Sequence, residues 1–202
     1  MEPTIIAVLG GPGTGKSFLV KKLAEYYNAE TILESLEKIP PRIIENFKKD
    51  IRQMETILWF RNKQLEEIES AIALKKKGKI VIMDTCQISN DLHITTMTQG
   101  FEEEILLKMV KGERKYFPQP DILVFLDASE KKIREFTFKR GWDFDTNEKF
   151  LKRNLSIQKA HKEYCKQHKK EVVYMNRDKL DFNKKEDLKK VIDAIERFKN
   201  QV

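Results

Sequence analysis

The stretch Thr4-Ile5-Ile6-Ala7-Val8-Leu9-Gly10-Gly11-Pro12-Gly13-Thr14-Gly15-Lys16-Ser17-Phe18-Leu19-Val20-Lys21-Lys22-Leu23 decides the fold. It opens as an apolar strand and ends with helical spacing, and between the two Gly10 to Ser17 matches GxxxxGK[ST]. Glycines let the backbone turn and bring its N–H groups close to phosphate oxygens, and the helix N-terminus that follows adds partial positive charge. In such a loop Gly10, Gly11, Pro12, Gly13, Thr14 and Gly15 form the cradle. Lys16 reaches the β and γ phosphates of ATP, and the Ser17 hydroxyl sits on Mg²⁺.

Working outward, short apolar runs alternate with longer stretches of helical spacing. The predicted strands are Thr4 to Leu9, Glu30 to Leu33, Lys79 to Met83, Ile122 to Leu126 and Glu171 to Met175. Several are apolar throughout, as strands buried on both faces are. The expectation is an α/β protein with three α/β/α layers, a five-stranded parallel sheet, the P-loop NTPase arrangement of nucleoside and nucleotide kinases, and a helical lid. Arg42 to Lys76 contains neither Gly nor Pro and carries apolar residues at three- and four-residue spacing, which predicts one long helix or a kinked pair, stopped by Gly78. No linker or internal repeat divides residues 1–202, so a single domain is expected.

Two carboxylates fall at strand ends. Asp84 closes Lys79 to Met83 at the edge where parallel sheets bind ligands, and reads as a Mg²⁺ partner or as a helix N-cap. Glu34 follows the second strand at the same edge. It reads as a base for an acceptor hydroxyl or as a solvated acid near Ser35.

Of the 202 residues, 40% are hydrophobic, enough for one well-buried domain, and no apolar run approaches the roughly 20 residues of a membrane helix. The N-terminus has no basic segment or cleavage pattern, so a cytoplasmic protein is expected, with no membrane partner. Cys86 and Cys165 lack metal-ligand spacing and read as reduced thiols. The net charge of +7 is spread over segments that also carry acids, which argues against a nucleic-acid surface and suits small anionic substrates. His93, His161 and His168 follow no ligand or triad spacing and read as surface or core residues.

Through nearly its whole length the chain resembles the deoxynucleoside kinase family, P-loop kinases related to thymidylate kinase. Ile32-Leu33-Glu34 resembles the family's strand ending in the Glu that deprotonates the sugar 5′-hydroxyl. Pro120 to Ser129 resembles its Pro-Asp strand and helix start, and Lys139-Arg140-Gly141 its basic lid motif, placing the lid at about residues 139–147. Asp178 to Phe182 resembles the loop that surrounds the adenine of ATP, which implicates Asp178 and Asp181. The resemblance implies a catalytic set of Glu34, Lys16 and Arg140, Mg²⁺ at Ser17 and Asp84, a nucleoside acceptor, and a homodimer.

The chain also departs from the family. Thr85-Cys86 stands where an Arg-Ser pair follows the acid, Glu55 to Arg61 lacks the family's base-binding Gln, Trp142 replaces a second lid Arg, and Ser35 replaces a Pro. Arg61 is the candidate replacement for the missing Arg, and Trp59 or Phe60 for a base-stacking ring. Two rival readings follow: a thymidylate-type monophosphate kinase, and a nucleotide-binding regulatory or RNA-associated protein that has lost its acceptor site.

Overall fold

The computed structural model describes residues 2–34, 39–141 and 147–201. The chain runs β1 (Ile5–Leu9), α1 (Lys16–Tyr27), β2 (Glu30–Ile32), α2 (Pro41–Lys49), α3 (Gln53–Lys76), β3 (Val81–Met83), α4 (Gln87–Met97), α5 (Phe101–Glu113), β4 (Ile122–Asp127), α6 (Glu130–Arg140), α7 (Glu148–Gln167), β5 (Val172–Asn176) and α8 (Lys185–Lys199), with a short 3₁₀ turn at Arg177–Lys179.

The five strands form one parallel sheet in the order β2-β3-β1-β4-β5. β1 lies in the middle, with every residue buried. Its side chains alternate between two cores. Ile6 and Val8 pack with Leu19, Val20 and Leu23 of α1 and Val191, Ile192 and Ile195 of α8. Ile5, Ala7 and Leu9 pack with Ile68 and Ala71 of α3, Ile88 of α4 and Cys165 of α7. Both faces are therefore covered, which is why the central strands are apolar throughout. A smaller cluster of Ile57, Ile94, Leu106 and Val110 joins α3, α4 and α5. Chain direction across the sheet reverses at β1, between β3 and β4, and the carboxyl edge of such a switch point is where open α/β sheets take ligands.

The long helical segment is a pair. α2 ends at Asp50 and α3 begins after Arg52, and both residues are left-handed, at φ 57° and 49°. Aspartate tolerates that conformation better than arginine does. The break is held from outside: Asp50 accepts from Gln53 at 2.8 Å and pairs with Lys149 of α7 at 2.8 Å. Gly78, at φ 81°, ends the turn before β3, as its sequence position predicts. Cys86 and Cys165 are free thiols, and burial raises both to about 12. No helix among the described residues is long and apolar enough to cross a membrane.

Candidate active site

The loop from Gly10 to Ser17 leaves β1 at the switch point and runs into α1. Its glycines meet steric demands. Gly13 has φ 78°, and a Cβ there would stand 2.7 Å from Thr137 Oγ1 of α6. Gly10, at φ 149°, would bring a Cβ within 2.9 Å of Thr14 Oγ1. The Thr14 side chain is buried and donates to Gly11 O at 2.9 Å, bracing the loop from within. Gly15 is left-handed and serves as the N-cap of α1 with no side-chain cap, so the first-turn amides of the helix are left for an anion.

Lys16 Nζ folds back to donate to Gly10 O at 2.8 Å and Gly11 O at 3.1 Å. Burial lowers its ammonium below the usual lysine value and Arg140 adds to the effect, while Asp84 and Glu34 oppose it. Ser17 Oγ donates to Asp84 Oδ2 at 2.7 Å, and the Glu34 amide donates to Asp84 Oδ1 at 2.9 Å. Asp84 does not cap α4, whose N-cap position is Cys86 without a side-chain bond. The hydroxyl of Ser17 and the carboxylate of Asp84 are hard oxygen donors of the kind Mg²⁺ takes. Mg²⁺ is commonly held by one or two protein oxygens together with phosphates and water, so the pair fits this ion. Among the described residues no cluster of three His, Cys, Asp or Glu could hold a metal by itself.

A cavity of about 840 Å³ opens along this edge. Its lining includes Gly10, Pro12, Gly13, Gly15, Lys16 and Ser17 of the loop, together with Asp84, Glu34 and Arg140. The lining also has an apolar set, Ile39, Ile43, Phe47, Ile57 and Phe60, and a neutral polar set, Gln64, Thr85, Ser89, Asn90 and His93. Glu34 has solvent on its outer side, yet the surrounding walls desolvate its carboxyl. That crowding and the charge of Asp84 push it up to about 7, against the pull of Lys16.

The polar wall is held in a defined protonation state. His93 Nδ1 lies 2.6 Å from Ser89 O and His161 Nδ1 lies 2.8 Å from Ile157 O, so both carry the proton on Nδ1. His161 Nε2 then accepts from the Ser89 hydroxyl at 2.9 Å. Burial lowers His93 to about 4 and His161 to about 3, leaving both neutral.

The predicted site residues thus fall into groups. Gly10, Pro12, Gly13, Gly15, Lys16, Ser17, Glu34, Asp84 and Arg140 share one cavity, whereas Gly11 and Thr14 lie behind the loop and outside the wall. Asp178 and Asp181 lie after β5, also outside that wall. Asp178 Oδ1 accepts from Ser129 N at 3.1 Å, and Asp181 accepts from Asn183 N at 3.1 Å. Of the two aromatic candidates Phe60 lines the cavity and Trp59 does not. Arg61 is no replacement for the missing Arg: its guanidinium pairs with Glu113 of α5 and donates to Asn62. Of the expected lid, residues 142–146, Trp142 among them, lie outside the described residues.

Gln64, Asn90 and His93 line the cavity without having been expected there from the sequence. Glu55 to Arg61 holds no Gln, and Gln64 stands one turn further along α3, its Nε2 donating to Thr85 Oγ1 at 3.1 Å. Continuing the helical spacing by that turn was the available signal. Nothing in the sequence marked Asn90 or His93, which reach the cavity only through the packing of α4.

Comparison with known proteins agrees with this architecture. Structures of deoxyadenosine kinase from M. mycoides match over nearly the whole chain. The form with dATP has TM-score 0.77 and 17% identity, covering 97% of this chain and 100% of that one. The form with the products dCMP and dCDP has TM-score 0.75 and 17% identity, covering 98% and 100%. The form with dCTP has TM-score 0.74 and 16% identity, with the same coverage. At such identities the likeness establishes the fold. No curated protein matches by sequence. A family model described as "AAA domain" matches residues 5–183, from β1 to the loop after β5. By that match, and with the phosphate loop in place at its head, the chain belongs to this AAA-domain family of P-loop proteins.

Proposed function

We propose that the protein transfers the γ-phosphoryl group of ATP to the 5′-hydroxyl of a nucleoside or deoxynucleoside. The observation that carries this reading is one cavity lined by the phosphate loop, by Glu34, Asp84 and Arg140, and by a set of apolar and neutral polar side chains suited to a nucleoside.

In this reading the amides of Gly13, Gly15 and the first turn of α1 hold the donor phosphates, and Lys16 turns from its carbonyl partners toward them. Ser17 and Asp84 would hold Mg²⁺, which would supply positive charge against the phosphates. Glu34 takes the proton of the acceptor hydroxyl, a task suited to a carboxylate whose pKa lies near neutrality. Arg140, at the end of α6 on the cavity wall, stabilises negative charge on the transferring group. Asp178 and Asp181 flank the donor base. Phe47, Ile43 and Phe60 enclose the acceptor base, with Gln64 at its polar edge. Cytoplasmic action and a homodimer belong to the same reading. The dimer is supported by the exposure of Phe101 and Ile105 on one side of α5, and sedimentation of the protein tests it.

A monophosphate kinase needs cations around an acceptor phosphate. Lys16, Lys21 and Arg140 are the cations of the wall among the described residues, and Lys16 belongs to the donor loop. That disfavours a phosphorylated acceptor. The direct test is ADP release from ATP-Mg with each common nucleoside, deoxynucleoside and monophosphate offered in turn. Stimulation by nucleosides is expected. Stimulation by monophosphates alone would replace this reading with the monophosphate-kinase one.

A further inference from the structure

Gln158, on α7, sits behind the phosphate loop and is 4% exposed. Its Oε1 accepts from Gly11 N at 2.7 Å and its Nε2 donates to Leu126 O at 2.9 Å. The two partners fix the orientation of the amide, since an N–H must face the carbonyl and an oxygen must face the amide N–H. β1 and β4 are paired in register as far as Leu9 and Phe125. Beyond that pair the Gln158 amide bridges Gly11 of the loop to Leu126 of β4, as a peptide group would.

The backbone also registers this contact. A Cβ on Gly11 would stand 3.1 Å from both Gln158 N and Gln158 Cβ and 3.2 Å from Asn154 O, so α7 rests directly on the loop. The N–H of Gly11 is thereby turned to the protein interior, while Gly13, Gly15, Lys16 and Ser17 line the cavity.

We propose that Gln158 is a positioning residue for the donor site, one that sets the entry angle of the phosphate loop through Gly11 and so the affinity for nucleotide phosphates. The proposal rests on the phosphate loop's holding ATP, as in the reading above, and is independent of the acceptor.

Direct binding of ATP-Mg by titration calorimetry tests it, with Gln158→Met as a variant of similar length that makes neither bond. Cys165→Ala, two turns further along α7 in the buried core, serves as a control for simple loss of stability. Gln158→Met is expected to raise the Kd for ATP by roughly 10- to 100-fold, because it leaves two buried backbone groups unpaired. Cys165→Ala is expected to lower Tm and leave that Kd within about twofold. Unchanged affinity in Gln158→Met overturns the proposal, as does an equal loss of affinity in both variants. Failure of the unaltered protein to bind ATP at all overturns the donor-site reading instead. Should Gln158→Met not fold, amide exchange in the unaltered, nucleotide-free protein decides. Slow exchange at Gly11 is expected, and exchange as fast as at exposed loop amides overturns the proposal.

Discussion

The Ser17 hydroxyl donates to the Asp84 carboxylate at 2.7 Å, tying the start of α1 to the end of β3. The other oxygen of Asp84 holds the Glu34 amide. One carboxylate thus sets both the proposed Mg²⁺ ligand and the proposed base. Asp84→Asn keeps the shape and removes the charge. It is expected to raise the Mg²⁺ concentration for half-maximal activity by about 10- to 100-fold, measured by Mg²⁺ titration at saturating ATP. An unchanged Mg²⁺ requirement would remove Asp84 from the metal site.

The Glu34 carboxyl is pushed up to about 7 by burial and by Asp84. A base must be deprotonated to act, so kcat/KM for the acceptor should fall as pH drops below about 7 and level off above it. Glu34→Gln should lower kcat by roughly 10²- to 10⁴-fold and abolish that limb of the profile. A profile with the same limb in the variant would assign the titration to another group.

Gly13 combines φ 78° with a neighbour, Thr137 Oγ1, that a Cβ would meet at 2.7 Å. Gly13→Ala should weaken ATP binding by about tenfold or more, with Tm moving little because the strain falls on the loop rather than on the core. Calorimetric titration beside a thermal melt reads both quantities. Normal ATP affinity would show that the loop tolerates the shift.

Phe60 lines the cavity beside the apolar residues Ile39, Ile43, Phe47 and Ile57 of its wall. Phe60→Ala should raise the acceptor KM by roughly tenfold while leaving the ATP KM within about twofold, since burying an aromatic side chain contributes about 1.5 to 3 kcal/mol. Initial rates at varied acceptor and varied ATP separate the two. A rise confined to the ATP KM would place the acceptor elsewhere.

The sheet and the phosphate loop were legible because they depend on local signals. An apolar run, glycines at fixed spacing and a helical pattern appear together in β1, the loop and α1. Glu34 and Asp84 were legible because parallel strands deliver their following residues to one edge. A kinked pair was one of two readings of the long helical segment, but the place of the break was not legible, because no Gly or Pro marks it and Asp50 is held there by ion pairs from Lys149 and Arg153 of α7. Arg61 showed the converse difficulty. Its place on the long helix suggested a phosphate contact, yet the rotation of α3 turns it to Glu113 on α5. Gln158 acts at Gly11 across a separation of 147 positions, which only the packed fold brings together.

The most direct test of the central claim is transfer of ³²P from γ-labelled ATP, with the product isolated and identified for the unaltered protein and for Glu34→Gln. The account predicts label on the 5′-oxygen of a nucleoside or deoxynucleoside in the unaltered protein, in proportion to ADP formed, and its loss in the variant. Label released only as inorganic phosphate, or bound ATP with no labelled nucleoside from any acceptor, would contradict it.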